Sequence, residues 1–419
     1  VPIKQHNWLI ISYFANEGGM ACSHHIDDRL SFFAKNKIAV TLLTSSCVKR
    51  LSLVKHIRIP CISPSGIRFE VRHVLKRKNY PVFKFKLLET LLLLPVLPLY
   101  FIEKLLYRID TTWWWFPLAF LRGYFQCMKC RPDVIYSTGG PISAHIVSAL
   151  LSEVTKIPWI AEFQDPLVHS YCARSSLEFR LTTWAEKFIC SRANKIVFLT
   201  SEALRRTFER TGNNDNGVVV YPGAPEMKTQ SAPYCLGDYL NFVHLGSLGG
   251  SRNLASFLEA LCALVSESPD MRGKIRLSLL GSFDKNVKKQ IEAFPYEEML
   301  MVYGRVTREK SVEEMKKSDV LLLIQNLDPI SSETIPSKVY EYFHARRPIF
   351  GLLYDNDELA EMFKGLGHRA VQWDDIEEIK QGVREYFRLW GQGKLLEPAP
   401  ASPYTVEKAV ARLIEGIER

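Results

Sequence analysis

The sequence predicts an α/β protein built around two doubly wound parallel sheets. Three observations carry that prediction. The chain has 419 residues, about twice an ordinary single core. Short β-rich apolar runs alternate with longer segments of helical period, the pattern of parallel sheets covered by helices. The alternation then restarts after YPGAPEMKTQSAPYCLGDYL, residues 221–240, a stretch rich in Pro, Gly and polar residues with the composition of a linker.

In chain order, the expected strands of the first half are Trp8 to Phe14, Ala39 to Thr44, Ile57 to Pro60, Val134 to Ser137, Trp159 to Phe163, Ile196 to Thr200 and Val218 to Tyr221. Those of the second half are Phe242 to Leu245, Ile275 to Leu280, Leu300 to Tyr303, Val320 to Ile324 and Ile349 to Leu353. The domains are expected at 1–225 and 226–403, with a last periodic helix, 404–419, crossing back to the first after the proline-rich EPAPASPY. Ligands of open parallel sheets sit at the carboxyl ends of strands, so two facing sheets predict a site in a cleft between domains.

Composition is globular, 47% hydrophobic and 24% charged. The nine cysteines are odd in number and scattered, and the first apolar stretch, NWLIISYF, is too short for a secretory h-region, which predicts a reducing, cytoplasmic setting. Charge is uneven: residues 1–225 hold 29 Lys and Arg against 16 Asp and Glu, the remainder 25 against 29. The first half should therefore meet something anionic, a membrane surface or nucleic acid.

RFEVRHVLKRKNYPVFKFK, 68–86, holds seven basic residues and one acid, and runs into LLETLLLLPVLPLYFIEKLLY. Its uninterrupted apolar part would span only about 18 Å as a helix, short of a hydrocarbon core of about 30 Å. It can lie on a bilayer, with Arg72, Lys76, Arg77, Lys78, Lys84 and Lys86 at the head groups and Leu91, Leu92, Leu93, Leu94, Trp113, Trp114 and Trp115 below. A buried helical hairpin is the other reading. No nucleic-acid recognition motif accompanies the basic stretch.

SSETIPSKVYEYFHARRPIF, 331–350, joins an apolar run to a helix and sets two glutamates eight positions apart around Pro-Ser-Lys. Pro336 or Ser337 should begin the helix, with serine able to cap it. Its free amides, its dipole and Lys338 favour an anion such as a diphosphate. Glu333 and Glu341 would flank that anion and accept from paired hydroxyls of a sugar and a ribose. Alternatively, Glu341 forms an ion pair with Lys338 on a solvated helix face.

With its E-x7-E spacing and PSK sequence, this element resembles that of the family 4 retaining glycosyltransferases. Their fold, GT-B, is implied here: two facing Rossmann-like, doubly wound parallel-sheet domains with an interdomain cleft. By the same resemblance Glu333 would touch the transferred sugar, Glu341 the ribose, and Ile335, Pro336, Ser337 and Lys338 the phosphates. HLGSLGGSRNLASFLEAL, 244–261, is similar to the family's first donor-domain strand, Gly-rich turn and helix, which implies that Gly246, Ser247, Gly250 and Arg252 lie at the donor. The family often has an arginine where this chain has Ser247, and a lysine where it has Arg252. VYGRV, 302–306, resembles the loop whose backbone reads the nucleobase, which assigns Tyr303, Gly304, Arg305 and Val306 to donor binding, together with Gly281. In YFANEGGMACSHH, Gly18 and Gly19 match the pair that approaches donor phosphate and acceptor. DVIYSTGGPISAH and PWIAEFQDP resemble two further stretches of the subfamily and place His145 and Asp165 at the site; relatives often carry arginine at Gln164.

The resemblance implies a retaining, metal-independent transferase of hexosyl or N-acetylhexosaminyl type. It would need no cofactor and would use a nucleoside-diphosphate sugar, by analogy a UDP-sugar. The expected acceptor is a hydroxyl of a polyprenyl-diphosphate-linked glycan, in surface polysaccharide synthesis at the inner face of the cell membrane. The implied catalytic group is Glu333, Asp165, His145, Arg252 and Lys338. A non-catalytic subunit of the same fold, binding nucleotide sugar or lipid-linked glycan, is the alternative suggested by Ser247. Cys127 and Cys130 form a CxxC with no second pair at ligand spacing, and His24-His25 reads as helix surface. P-loop, G-x-G-x-x-G and G-x-S-x-G signatures are absent, against NTPase, dehydrogenase and hydrolase chemistry.

Overall fold

The computed structural model describes residues 6–16, 21–78, 80–106, 112–168, 177–212, 215–226, 234–396 and 398–418. The chain divides into two units, Val1–Tyr221 with Val406–Arg419, and Pro222–Thr405. Each contains one wholly parallel sheet.

In the first unit the strands are β1 (His6–Ile11), β2 (Ile38–Ser45), β3 (Lys55–Ile59), β4 (Val134–Thr138), β5 (Trp159–Phe163), β6 (Lys195–Phe198) and β7 (Gly217–Val219), in the order β3-β2-β1-β4-β5-β6-β7. Burial on both faces explains the apolar runs: Leu9, Ile11 and Ile135 enter one core layer, and the alternate residues Trp8, Ile10, Val134 and Tyr136 enter the other. The second layer is closed by Ile26, Leu30 and Phe33 together with Val406, Ala409, Val410 and Leu413 of the last helix, Val406–Glu418. Burying each large apolar side chain on that helix contributes about 1.5–3 kcal/mol, which fixes the chain terminus to this unit.

The second unit contains β8 (Leu240–Leu245), β9 (Ile275–Leu280), β10 (Leu300–Gly304), β11 (Val320–Ile324), β12 (Ile349–Leu353) and β13 (Arg369–Gln372), in the order β10-β9-β8-β11-β12-β13. Strand β13 was not expected. It is a short edge strand with Arg and Gln at its ends, so it lacks the apolar run that marks the others. Both sheets wind outward from their first strand and then reverse, which places a switch point between β1 and β4 and another between β8 and β11.

Three helices, Pro64–Arg77, Val82–Leu93 and Leu97–Leu106, are inserted between β3 and β4. Ser63 caps the first by accepting from the Gly66 amide, and Glu103 reaches back to the Ser65 amide at 2.8 Å. Arg68 and Arg72 meet Glu89 at 3.6 and 3.2 Å. No single described helix is long and apolar enough to cross a membrane; Val82–Leu93 and Leu97–Leu105 pass that test only as a pair, bent by 81°.

The expected surface-facing set divides. Leu91, Leu92 and Leu94 are exposed, alongside Phe83, Phe101 and Leu105. Leu93 and Trp115 are buried, contrary to expectation: the Trp115 indole donates to the Ile59 carbonyl at 3.0 Å and meets Tyr13 edge-on. Trp113 packs against the same core, leaving Trp114 as the exposed member of the three. An indole with a buried acceptor gains more inside than at an interface.

Candidate functional site

The candidate donor site of the second unit is assembled at the carboxyl ends of β8, β9, β10 and β11. Three turns are joined there by backbone bonds. Gly246 donates to the Leu280 carbonyl at 2.8 Å, Gly281 to the Gly304 carbonyl at 2.7 Å, and Leu248 to the Ser282 carbonyl at 3.0 Å. Gly281 has no room for a side chain, since a Cβ there would stand 1.7 Å from the Gly246 carbonyl oxygen. Asp284 caps the helix Lys285–Glu292 through the Val287 amide and also accepts from Gly250, which sits at φ +63°, so one carboxylate shapes the turn and starts the helix. Ser247, where a cation was absent by comparison with the family, bonds Ser282 at 2.8 Å; Arg305 reaches the same hydroxyl at 3.4 Å. Tyr303 and Val306 are exposed at this rim.

Arg252 closes the first turn through a pair of backbone bonds with Gly249. The residue as a whole is half-buried, and its Nε is buried with no hydrogen-bond partner. Burial lowers its pKa, while Tyr342 and Asp328 favour the charge. An arginine nitrogen desolvated without an acceptor costs free energy until an anion supplies one.

On the other side of the switch point, Gln325 and Asn356 fix the loop after β11. Gln325 donates to the Ser331 and Thr334 carbonyls at 2.6 and 3.0 Å, and Asn356 donates to the same two at 2.6 and 2.9 Å. Four bonds thus hold the backbone on both sides of Glu333, which is 4% exposed. Ile335 and Pro336 then lead to the helix Lys338–Ala345. That helix begins one to two residues later than expected. Ser337 occupies the cap position but is already helical in φ and ψ and makes no side-chain cap bond, so the expectation of a serine cap is corrected. The first turn-closing bonds come from Val339 and Tyr340, leaving the Ser337 and Lys338 amides without intrahelical acceptors.

Lys338 Nζ lies 2.6 Å from Glu341, whose other oxygen meets Arg308 at 3.3 Å. The ion pair that was the alternative for these residues is therefore present, and Arg308 is a second cation on the same carboxylate. Tyr342, from the same helix, accepts from the Leu245 amide at 2.9 Å and ties the helix to the end of β8. Sequence reasoning passed over Gln325, Asn356, Tyr342 and His244; two buried amides beside a loop and a histidine ending an apolar strand were the signals available.

In the first unit Gly18 and Gly19 lie outside the described residues. Asp165 is exposed after β5, and its charge adds to burial in pushing the Cys22 thiol up to about 11. His145 is wholly buried, 2.8 Å from the Ser137 hydroxyl and edge-on to Phe163, and desolvation pushes it down to about 4. From there it orders the turn after β4. A network missed in the sequence lies alongside: Arg29 meets Glu162 at 2.5 Å and Tyr136 at 2.7 Å, Thr138 donates to Glu162 at 2.7 Å, and Gln164 donates to Thr138 at 2.9 Å. Gln164, which replaces a frequent arginine, thus extends a polar cluster that already contains one. His25, expected on a helix surface, is partly buried, and desolvation together with the Arg29 charge pushes it down to about 4.

Residues 69–223 match a family model described as a glycosyl transferase 4-like domain. No curated protein sequence matches the chain. Among solved structures, Anabaena Alr3699/HepE in complex with UDP is similar at 11% identity and TM-score 0.60, covering 99% of each chain. WaaG, a glycosyltransferase involved in lipopolysaccharide biosynthesis, is similar at 12% identity and TM-score 0.57, covering 98% of this chain and 99% of its own. A candidate UDP-N-acetylglucosamine 2-epimerase from Listeria monocytogenes is also similar, at 11% identity and TM-score 0.54, covering 99% of this chain and 96% of its own. The fold of the present chain, with its seven- and six-stranded parallel sheets, is that of the GT-B glycosyltransferases.

Proposed function

We propose that the protein is a retaining glycosyltransferase that moves a sugar, of hexosyl or N-acetylhexosaminyl type, from a nucleoside diphosphate to a hydroxyl of a lipid-linked glycan. The observation that carries this is the buried Arg252 Nε without an acceptor, set among glycine turns at the switch point where the helix Lys338–Ala345 begins. A diphosphate is the ligand class that this arrangement fits. The GT-B fold and the complex of Alr3699/HepE with UDP support a uridine nucleotide as donor.

In mechanism, the transferred sugar develops oxocarbenium character as the diphosphate departs. Arg252, Lys338 and the helix amides stabilise the negative charge, so no metal ion is called for. Glu333, on its four-bond support, takes the sugar hydroxyls, and Glu341 the ribose. The acceptor hydroxyl attacks from the side that the phosphate leaves, giving its proton to the leaving group. Asp165 and the Gly18-Gly19 segment belong to acceptor handling, with His145 acting through the turn it orders.

The helical insertion supports a peripheral position on an anionic, cytoplasmic membrane face. It exposes Leu91, Leu92, Leu94, Phe101 and Leu105 beside a basic stretch in which Arg72, Lys76, Lys78, Lys84 and Lys86 are exposed and Arg77 partly so. Apolar side chains and cations on one insertion match acyl chains and anionic head groups better than either matches nucleic acid.

Turnover with a panel of UDP-, GDP- and ADP-sugars tests the assignment. Transfer by the wild type and its near-complete loss in Glu333→Ala are expected; wild-type rates in that variant overturn the role of Glu333, and absence of transfer with retained binding favours a non-catalytic subunit. Sedimentation with anionic liposomes should fall when the basic residues of 72–86 are neutralised, and unchanged binding removes the membrane assignment.

A further inference from the structure

His244, in the last-but-one position of β8, is 3% exposed, and its Nδ1 lies 3.0 Å from the Leu322 carbonyl oxygen. A carbonyl can only accept, so Nδ1 carries the hydrogen, and a neutral ring must present a bare lone pair at Nε2. That nitrogen is buried with no hydrogen-bond partner. It faces the first glycine turn: a Cβ at Gly246 would stand 3.8 Å from it.

Two charged groups act on the ring, one from each side of the switch point. Burial is the main cause that pushes His244 down to about 4; Arg252, from the turn after β8, and Lys338, from the first helical turn, add to it, while the bond to Leu322 works the other way. Asp328 acts on Arg252, Glu341 pairs with Lys338, and the Tyr342 hydroxyl is engaged by the Leu245 backbone. Glu333 is the remaining acid of the loop.

Resting on the donor-site assignment above, we infer that His244 is itself a ligand contact, whose Nε2 takes up a proton from solvent as the diphosphate binds and then donates to a phosphate oxygen. An ionised phosphate oxygen can only accept, so it cannot satisfy the lone pair of the neutral ring. The ring cannot exchange tautomers without abandoning Leu322, so an N–H at Nε2 arises only through the imidazolium. An anion beside Arg252 and Lys338 also offsets the part that those two cations add to burial in opposing protonation. No bond in the ligand changes; one proton moves from buffer to ring.

The sign follows from linkage. The pKa of the ring is raised in the complex above its value of about 4 in the free protein, so binding is tightest at low pH. Between those two values affinity falls by up to about tenfold per pH unit, and above them it levels off.

Calorimetric titration with UDP-glucose, then GDP-mannose and ADP-glucose, tests this, because the diphosphate of a nucleotide sugar has no group that titrates near neutrality. Heats measured at one pH, about 6, in buffers of different ionisation enthalpy give the protons taken up. The wild type should take up a proton on binding. His244→Gln, which retains a donor but cannot titrate, should bind without uptake and without pH dependence. His244→Asn, which keeps only the bond to Leu322, should bind about tenfold or more weakly. Binding without proton uptake by the wild type overturns the inference, as does equal uptake by His244→Gln; the wild-type result decides even if a variant misfolds. Binding of none of the nucleotide sugars instead overturns the donor-site assignment on which this rests.

Discussion

The two sheets reverse direction in the same way, yet their switch points are filled differently. At the ends of β4 and β5 the charge is neutralised from within: Arg29 is 1% exposed and its carboxylate partner Glu162 fully buried, with Tyr136, Thr138 and Gln164 completing the cluster. At the ends of β8 and β11, Arg252 is partly exposed and, among the described residues, forms no ion pair with a carboxylate, while Lys338 shares the partly exposed carboxylate of Glu341 with Arg308. Arg29 also has buried nitrogens lacking acceptors, but its charge is already met at 2.5 Å. On the proposed reading, one switch point is a scaffold and the other a place that would take an anion.

Breaking the scaffold should have the largest effect. Glu162→Gln strands a buried guanidinium and should cost about 3–5 kcal/mol in urea unfolding, while Arg29→Met with Glu162→Leu should recover most of it. A single variant as stable as the wild type would remove the distinction. On the other side, Gly281→Ala should cost about 3 kcal/mol and disrupt nucleotide binding, because its methyl group meets the Gly246 carbonyl and the three turns must separate. Unchanged melting and binding would show that the turns are not one unit.

Gln325→Leu sharpens the comparison within the second unit. It removes two of the four bonds around Glu333, so a loss of about 1–3 kcal/mol in stability is expected, with turnover falling more than nucleotide affinity. Equal losses in both would mean that the loop supports binding alone. Smallest of all, Glu341→Gln should change folding stability by only about 0.2–0.5 kcal/mol, since its pair with Lys338 is partly solvated, while weakening nucleosides that carry a ribose.

Much of this was legible in the amino-acid order because burial on both faces forces continuous apolar strands. Twelve of the thirteen described strands were expected; those buried on both faces announce themselves in that way, KHIRI of β3 only in part, and Arg-Ala-Val-Gln at the edge not at all. The glycine turns, Arg252 and the Glu333 loop were legible through family likeness and acquire physical reasons only in three dimensions, as Gly281 does from its contact with Gly246. The Arg29–Glu162 pair spans 133 positions, and no local pattern reports such a distance; a glutamate inside the apolar run WIAEF was the one available sign. Ser337 shows the opposite error, a residue type suited to capping whose backbone is already helical.

The central claim is that a diphosphate binds at the ends of β8 and β11 with Arg252 as its principal cation. Calorimetric titration of UDP and uridine against the wild type and Arg252→Ala tests it most directly. The variant should lose about ten- to a hundredfold in affinity for UDP, the worth of a charged hydrogen bond, with uridine almost unaffected. Equal losses for both ligands, or none for UDP, would contradict it.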